Sequence, residues 1–179
     1  MISSDGQIIL GRHWPYVGGL LNLRVDKILL PNGNTVTREI VETRNSVCVA
    51  ALDGFGNVIL VKQYRQAVGE FLLEVPAGGI ESNEKPLDAA CRELEEETGF
   101  VAKHITFEFF FWASPGISTE GMYAYSAEGL ELHGQLNQDD ENIEVVHVSL
   151  DNIRHLISTG KIRDGKTISL LNLILIKKS

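Results

Sequence analysis

Two neighbouring stretches in the middle of the chain, residues 46–52 and 58–64, are rich in apolar residues, and the turn sequence Asp-Gly-Phe-Gly-Asn separates them. Short apolar runs bounded by turn residues are typical of buried strands. We therefore predict two strands that run out and back through a core. Three further strand-like stretches follow along the chain, at 105–113, 121–127 and 144–149.

Three other stretches carry a helical pattern. Residues 86–98 begin with Pro86, which suits a first helical turn, and are followed by Gly99, which suits a C-terminal cap. Residues 150–158 are amphipathic, and residues 167–177 fit a helix or a strand, with a helix favoured. In the first helix, an apolar to neutral stripe is predicted to pack on a sheet, with the acidic residues on the other side. Its members are Leu87, Ala90, Cys91, Leu94 and Thr98.

Strands that alternate with two or three helices predict an α/β sandwich around a mixed sheet. The first 45 residues differ, because they show short strands and turns only. Leu21, Leu23 and Val25 alternate with polar residues, and Pro-Asn-Gly-Asn at 31–34 is a hairpin turn before a strand at 35–41. We predict a small antiparallel sheet in residues 1–45, ahead of a main domain in residues 46–179.

Composition narrows the classes of function. The chain has 179 residues, of which 44% are hydrophobic, and this suits one catalytic domain. Its formal net charge of −8 argues against sequence-independent binding of nucleic acid, which needs a basic face. The two cysteines, Cys48 and Cys91, lie in apolar patterns and are expected to be buried and reduced. Neither a secretory signal nor a membrane-spanning run is recognisable, so we expect no membrane partner and a cytoplasmic location.

Three glutamates in the first predicted helix, Glu93, Glu96 and Glu97, are spaced so that they share one helical face. Like charges this close repel each other, and a shared divalent cation reverses that repulsion. Mg²⁺ or Mn²⁺ suits such hard oxygen ligands. Arg92 lies four positions before Glu96 and is expected to hold that carboxylate by a hydrogen bond. Taken alone, the glutamates are equally well explained as a charged face in solvent.

The helix and the loop before it carry a longer motif. Its seven fixed residues are Gly78, Glu84, Arg92, Glu93, Glu96, Glu97 and Gly99. With Leu94 as an aliphatic residue inside the motif, and Phe100 as an aromatic residue in its last position, the chain resembles the Nudix hydrolases. The resemblance implies the same α/β/α sandwich around a mixed sheet, and metal-dependent hydrolysis of a pyrophosphate bond.

The resemblance also implies which residues hold the metal ion, Mg²⁺ or Mn²⁺. Glu93 and Glu97 would be the principal ligands, Glu96 a further or water-mediated ligand, and the Ala77 carbonyl another. Arg92 would orient the carboxylates. The bound metal would neutralise the diphosphate and lower the pKa of a water molecule.

Three flanking features resemble the branch that hydrolyses ADP-ribose and other nucleoside diphosphate sugars. The first is Gln-Tyr-Arg-Gln at 63–66, together with Leu-Glu-Val-Pro-Ala-Gly at 73–78. The second is Pro115, which stands sixteen positions after the last glycine of the motif. The third is the acidic run at 139–145, and the tail at 160–167 is similar but less specific. Each feature also has a plainer explanation, as a turn, a surface arginine or a solvated loop.

This branch implies a set of substrate-binding residues and a base. Arg65 would clamp the diphosphate through its planar guanidinium group, and Glu74 and Glu120 would contact the ribose or the nucleoside. The base comes from the late acidic loop, where Glu141 is favoured, while Asp139 and Glu120 remain open. The four substrate-binding residues are Arg65, Glu74, Pro115 and Glu120.

For ADP-ribose, the implied products are AMP and ribose 5-phosphate. One alternative is another nucleoside diphosphate sugar, such as GDP-mannose, at the same metal site. A second alternative is a nucleotide-binding module without catalysis, which the intact motif disfavours. Relatives with an N-terminal sheet are usually homodimers, so the resemblance also implies a homodimer that uses residues 1–45.

Overall fold

The computed structural model describes residues 5–134 and 143–178. The chain divides into two compact units, of which one comprises Met1–Asn45 with Trp112–Gly121 and the other Ser46–Phe111 with Met122–Ser179. Since Trp112–Gly121 joins the first unit, the N-terminal sheet and a later loop form one body. The assignment of residues 1–45 to dimerisation stays a prediction.

The first unit contains a three-stranded antiparallel sheet, in the order β1–β2–β3. Its strands are β1 Ile8–Val17, β2 Leu21–Leu29 and β3 Thr35–Thr43. The predicted hairpin turn lies between the last two strands, where Gly33 has a φ of +85° that favours glycine. Beside β3, the later loop is held by two hydrogen bonds: Val41 N–H donates to the Ile117 carbonyl at 2.7 Å, and Thr119 N–H donates to the Val41 carbonyl at 3.0 Å. The predicted small sheet is confirmed.

The second unit is built on a mixed seven-stranded sheet. Its strands are β4 Ser46–Leu52, β5 Asn57–Arg65, β6 Glu70–Glu74, β7 Ala77–Gly79, β8 Phe100–Trp112, β9 Gly121–Leu132 and β10 Ile143–Ser149. The main path runs β10–β5–β4–β9–β8, with β6 beside β5 and β7 beside β4. Strands β4 and β9 are parallel, whereas β4 with β5 and β5 with β10 are antiparallel. The sequence predicted every strand of the main path and missed the two short ones.

Helices cover both faces of this sheet. Helix α1 (Pro86–Thr98) packs on one face, and α2 (Leu150–Ser158) and α3 (Gly165–Lys177) pack on the other. The alternation along β4 divides the core, because successive side chains of a strand point to opposite faces. Residues 47, 49 and 51 lie in the α1 core, while residues 48, 50 and 52 lie in the α2–α3 core. The predicted sandwich is confirmed, and the ambiguous stretch at 167–177 is helical.

The orientation of α1 differs from the predicted stripe. Leu87 is 45% exposed and Cys91 is also exposed, whereas Glu93 and Glu97 are buried. The prediction placed apolar residues inward and acidic residues outward, but Glu97 accepts a hydrogen bond from Ala77 and Glu93 accepts one from Arg92, so both carboxylates tolerate burial. Cys48 is buried as predicted, and burial raises the pKa of its thiol to about 12. Both cysteines are free thiols.

The way in which β4 is paired determines where the motif begins. Only Ala51 and Leu52 of β4 pair with β5. The other end of the same strand edge pairs with β7, which brings Ala77 opposite Cys48 and Gly78 opposite Val47. The sheet therefore splays between β4 and β5, and the motif loop starts in that gap. Within the described ranges, no helix is long and apolar enough to cross a membrane.

Candidate active site

Strand β7 lies directly beneath the buried face of α1. The Ala77 N–H donates a hydrogen bond to Glu97 Oε2 at 3.0 Å. The next residue, Gly78, faces the Glu93 carboxylate so closely that a Cβ at this position would lie 2.1 Å from the Glu93 carboxyl carbon. Glycine is therefore required here because no side chain fits, and both carboxylates lie against the backbone of β7.

Arg92 joins the remaining members of the motif. Its Nε and Nη2 donate to the two carboxylate oxygens of Glu84 at 2.9 and 3.0 Å. Its Nη1 donates to Glu93 at 2.7 Å and to Glu96 at 2.9 Å, and Nη2 also donates to the Gly79 carbonyl at 3.0 Å. A planar guanidinium group has enough donors for all these partners at once. The predicted hydrogen bond from Arg92 to Glu96 is present, and Arg92 also orients two further carboxylates.

These contacts explain the charge state of the loop. The hydrogen bonds from Arg92, followed by one from the Glu81 backbone N–H at 2.8 Å, hold the pKa of Glu84 below its ordinary value. The Glu84 carboxylate in turn is the largest cause of the raised pKa of Arg92. Glu84 is thus a brace between the loop and the helix, and it stays ionised at neutral pH.

The fit of these residues to a metal ion follows from their chemistry. Glu93 and Glu97 are buried, Glu96 is partly exposed, and all three present hard carboxylate oxygens of the kind that Mg²⁺ and Mn²⁺ prefer. Among the described residues, no group of three or more acidic, histidine or cysteine side chains is arranged as a metal cluster. Arg92 Nη1 donates to Glu93 and Glu96 together. The donor set fits a divalent cation.

Arg65 and Glu74, both predicted to bind substrate, contact each other across β5 and β6. Arg65 Nε and Nη2 donate to the two Glu74 oxygens at 2.9 and 2.8 Å. Glu74 is 1% exposed and also forms an ion pair with Lys166. Burial by itself would raise the pKa of Glu74, but the two cations outweigh burial and the pKa lies below its ordinary value. Because Glu74 is enclosed between these cations, its geometry favours an indirect role.

The other predicted residues are divided between the two units and the undescribed part of the chain. Pro115 and Glu120 belong to the first unit, in the loop beside β3. Pro115 is exposed and Glu120 is half-buried. Asp139 and Glu141 lie outside the described residues. The predicted metal ligands all belong to the second unit, as do Arg92, Arg65 and Glu74.

Lys166 and Thr167 contact Glu74 and Val75, and the sequence analysis did not predict a role for either residue. The only signal was the similarity of the tail at 160–167 to the same branch, which indicated no role for any residue. Both residues contact the end of β6 from 92 positions away in the sequence. A contact of that range leaves no local pattern.

Comparison with known proteins decides the family. A sequence model of the NUDIX domain matches residues 42–171. The chain belongs to the Nudix family. The motif on β7 and α1 is accordingly its Nudix box, and the match extends through β10 and α2 into α3.

Relatives of this Nudix protein have more specific names. It is 35% identical over 166 residues to the ADP-ribose pyrophosphatase of Bacillus subtilis (strain 168), covering 92% of this chain and 90% of that protein. It is 35% identical over 155 residues to the methanol dehydrogenase activator of Bacillus methanolicus, covering 86% and 84%. A crystal structure of an ADP compounds hydrolase superposes with a TM-score of 0.87 at 23% identity, covering 97% and 95%, and this confirms the fold.

Proposed function

We propose that this Nudix protein hydrolyses the pyrophosphate bond of ADP-ribose or a related nucleoside diphosphate sugar. The products are a nucleoside monophosphate and a sugar phosphate, which for ADP-ribose are AMP and ribose 5-phosphate. The observation that carries the proposal is the similarity to an ADP-ribose pyrophosphatase over nearly the whole of both chains. The intact box, in which Ala77 of β7 holds Glu97 and Arg92 holds Glu93 and Glu96, supports a catalytic protein rather than a binding module.

The proposed metal ligands are Glu93, Glu96, Glu97 and the Ala77 carbonyl, and the proposed ion is Mg²⁺ or Mn²⁺. When bound, such an ion supplies charge neutralisation at the diphosphate and lowers the pKa of water. The protein contributes preorganisation, because hydrolysis at phosphorus depends on positioning and electrostatics more than on covalent chemistry. The Ala77 N–H holds Glu97, Gly78 leaves space for Glu93, and Arg92 orients Glu93 and Glu96.

Arg65 is the proposed clamp for the diphosphate. Its guanidinium group is pinned by the bidentate contact with Glu74, and its side chain retains 37% exposure. A pre-oriented guanidinium group loses little conformational entropy when it binds an anion. We therefore propose that Glu74 acts by holding Arg65 rather than by touching the ribose. Glu120 and Pro115 remain the proposed contacts to the nucleoside or ribose.

The proposed base is Glu141, with Asp139 and Glu120 as alternatives. Replacing each with its amide in turn identifies the base, because loss of the base depresses kcat and alters its pH profile. We also propose that the protein works as a cytoplasmic homodimer on small-molecule substrates, without a nucleic-acid partner. Sedimentation velocity tests the oligomeric state.

The substrate test is product analysis with Mg²⁺ on ADP-ribose, GDP-mannose, UDP-glucose, NADH, a diadenosine polyphosphate and dGTP. We expect AMP and ribose 5-phosphate from ADP-ribose, well above the products from the other compounds. Preference for GDP-mannose or another nucleoside diphosphate sugar would keep the reaction and change the substrate. Silence across the panel would contradict the hydrolase proposal.

Glu97→Gln tests the metal site, and we expect activity to fall by more than about 10²-fold because a metal ligand is lost. Glu95→Gln is the matched control. Glu95 lies on the same helix and carries the same charge, but it is not one of the seven fixed residues of the box and is partly exposed. Near-normal activity in Glu97→Gln, or an equal loss in Glu95→Gln, would refute the assignment of the ligands.

A further inference from the structure

The first turn of α3 reaches the end of β6 through a buried hydroxyl. Thr167 is fully buried, and its Oγ1 accepts a hydrogen bond from the Val75 N–H at 2.9 Å. The same hydroxyl donates to Asp164 Oδ2 at 2.6 Å. Asp164 caps the helix, since its Oδ2 also accepts from the Thr167 N–H at 2.9 Å. The hydroxyl proton is therefore directed at Asp164, and a lone pair is directed at the Val75 N–H, directly after β6.

A second contact lies beside the first. Lys166 forms ion pairs with Glu74 and, at 3.1 Å, with Asp164 Oδ2, and its side chain is only 12% exposed. Consecutive residues of the chain, Glu74 and Val75, are thus both held by consecutive residues of α3. Lys166 binds the side chain of Glu74, and Thr167 binds the backbone N–H of Val75, so this segment is restrained in both position and rotation.

The restrained segment leads directly into the metal site. Val75 is followed by Pro76, whose ring limits φ to a narrow range, and then by Ala77, whose N–H holds Glu97. From the other side, the Val49 N–H donates to the Pro76 carbonyl at 2.9 Å. Because Pro76, the one residue between Val75 and Ala77, is restrained, a displacement of Val75 would also displace Ala77. Strand β7 is therefore set by β4 on one side and by α3 at its entrance.

We propose that Thr167 and Lys166 are positioning residues for metal binding, which act by placing the Ala77 backbone relative to the box carboxylates. This inference rests on the proposed function, because it takes Ala77 and Glu97 as parts of the metal site. It gives α3 a role beyond covering one face of the sheet.

The decisive experiment compares Thr167→Val with Thr167→Ser. Valine keeps the shape and leaves the Val75 N–H without its acceptor, whereas serine restores the hydroxyl. Mn²⁺ binding is titrated by electron paramagnetic resonance in the absence of substrate. We expect Thr167→Val to weaken Mn²⁺ binding by about 10-fold, as for other outer contacts that orient metal ligands, and Thr167→Ser to stay near wild type. The Mg²⁺ concentration for half-maximal hydrolysis should rise in parallel.

Ile174→Val is the control for stability. Ile174 lies on the same helix and in the core between the sheet and α2–α3. This change therefore loosens α3 without altering a polar contact to the residues between β6 and β7, Val75 and Pro76. If Thr167→Val lowers Tm as Ile174→Val does and binds Mn²⁺ like the wild type, the role is merely structural and the proposal is wrong. Should Thr167→Val fail to fold, Lys166→Met decides, because wild-type Mn²⁺ affinity in that variant would equally overturn the proposal.

These measurements distinguish a failure of the positioning proposal from a failure of the proposed hydrolase function. A wild-type protein that binds Mn²⁺ but hydrolyses none of the substrate panel would contradict the hydrolase proposal. Weaker Mn²⁺ binding by Thr167→Val would still support the positioning role in that case. If the wild type hydrolyses ADP-ribose and Mn²⁺ binding is unchanged in Thr167→Val and in Lys166→Met, the proposed function is upheld and the positioning role is refuted. Absence of Mn²⁺ binding by the wild type would overturn the inference.

Discussion

Close contact between Gly78 and Glu93 shows how single residues shape the site. The glycine has no side chain, and the Glu93 carboxylate occupies the space where one would be. Glu93 is buried and also accepts from Arg92 at 2.7 Å, so it has a defined position. A carboxylate held in this way needs little reorganisation when a ligand binds, which is the usual advantage of a preorganised site.

Gly78→Ala should displace Glu93 and disable the site. The added methyl group would lie 2.1 Å from the carboxyl carbon, so the carboxylate or β7 must move. We expect a stability loss of about 1–3 kcal/mol, as for other overpacked positions, and a large fall in hydrolysis. Gly54→Ala is the control, because nothing lies within 4 Å of a Cβ at that turn. Full activity in Gly78→Ala would show that Glu93 is not needed where it lies.

At the scale of elements, one face of α1 both packs in the core and carries carboxylates of the box. Ala90 and Leu94 belong to the core against β4, and Glu93 and Glu97 lie on β7. The helix ends at Gly99, whose φ of +75° allows its N–H to donate to the Glu95 carbonyl at 2.7 Å. This cap ends the helix at Thr98, one residue beyond Glu97, and turns the chain into β8.

Gly99→Ala should therefore destabilise the protein by about 1–2 kcal/mol, because a residue with a Cβ is strained in the left-handed region. Chemical denaturation measures the loss. Gly99→Asn should cost less, since asparagine tolerates this conformation better. Equal stability of the alanine variant and the wild type would mean that the helix end relaxes to another cap.

At the scale of the whole molecule, acidic residues outnumber basic ones, and the buried carboxylate of Glu74 has local cations as its partners. The formal net charge is −8, while Glu74 lies between Arg65 and Lys166. Those cations hold the pKa of Glu74 below its ordinary value despite burial. A carboxyl with a depressed folded pKa stabilises the fold fully above the unfolded pKa and loses that contribution as pH falls through the folded value.

We expect the stability advantage of the wild type over Glu74→Gln to be largest near neutral pH and to shrink below about pH 4.5, the ordinary glutamate value. Urea unfolding at a series of pH values measures both curves. Glu128→Gln serves as the comparison, because Glu128 is exposed and its ion pair with Lys178 spans 3.5 Å. A constant difference between wild type and Glu74→Gln over this range would contradict the assigned charge state.

Much of the fold followed from local patterns. The buried strands at 46–52 and 58–64, and the helix between Pro86 and Gly99, were predictable because periodicity and end signals report on short segments. The short strands β6 and β7 were not predictable, since their residues pair only because β4 and β5 splay apart. Cys91 was placed on the wrong side for a related reason: burial depends on what packs above and below a helix.

The sequence by itself determined the family, because all seven fixed residues of the motif are present. It also determined which carboxylates share a helical face, because the spacing of Glu93, Glu96 and Glu97 places them close together on any α-helix. Only the tertiary structure decided which of them are buried and what holds them. Arg92 reaches back to Glu84, β7 supplies the Ala77 N–H, and the corner before β7 is gripped by Thr167 from 92 positions away. Such contacts depend on how separate elements pack, and no local pattern records that packing.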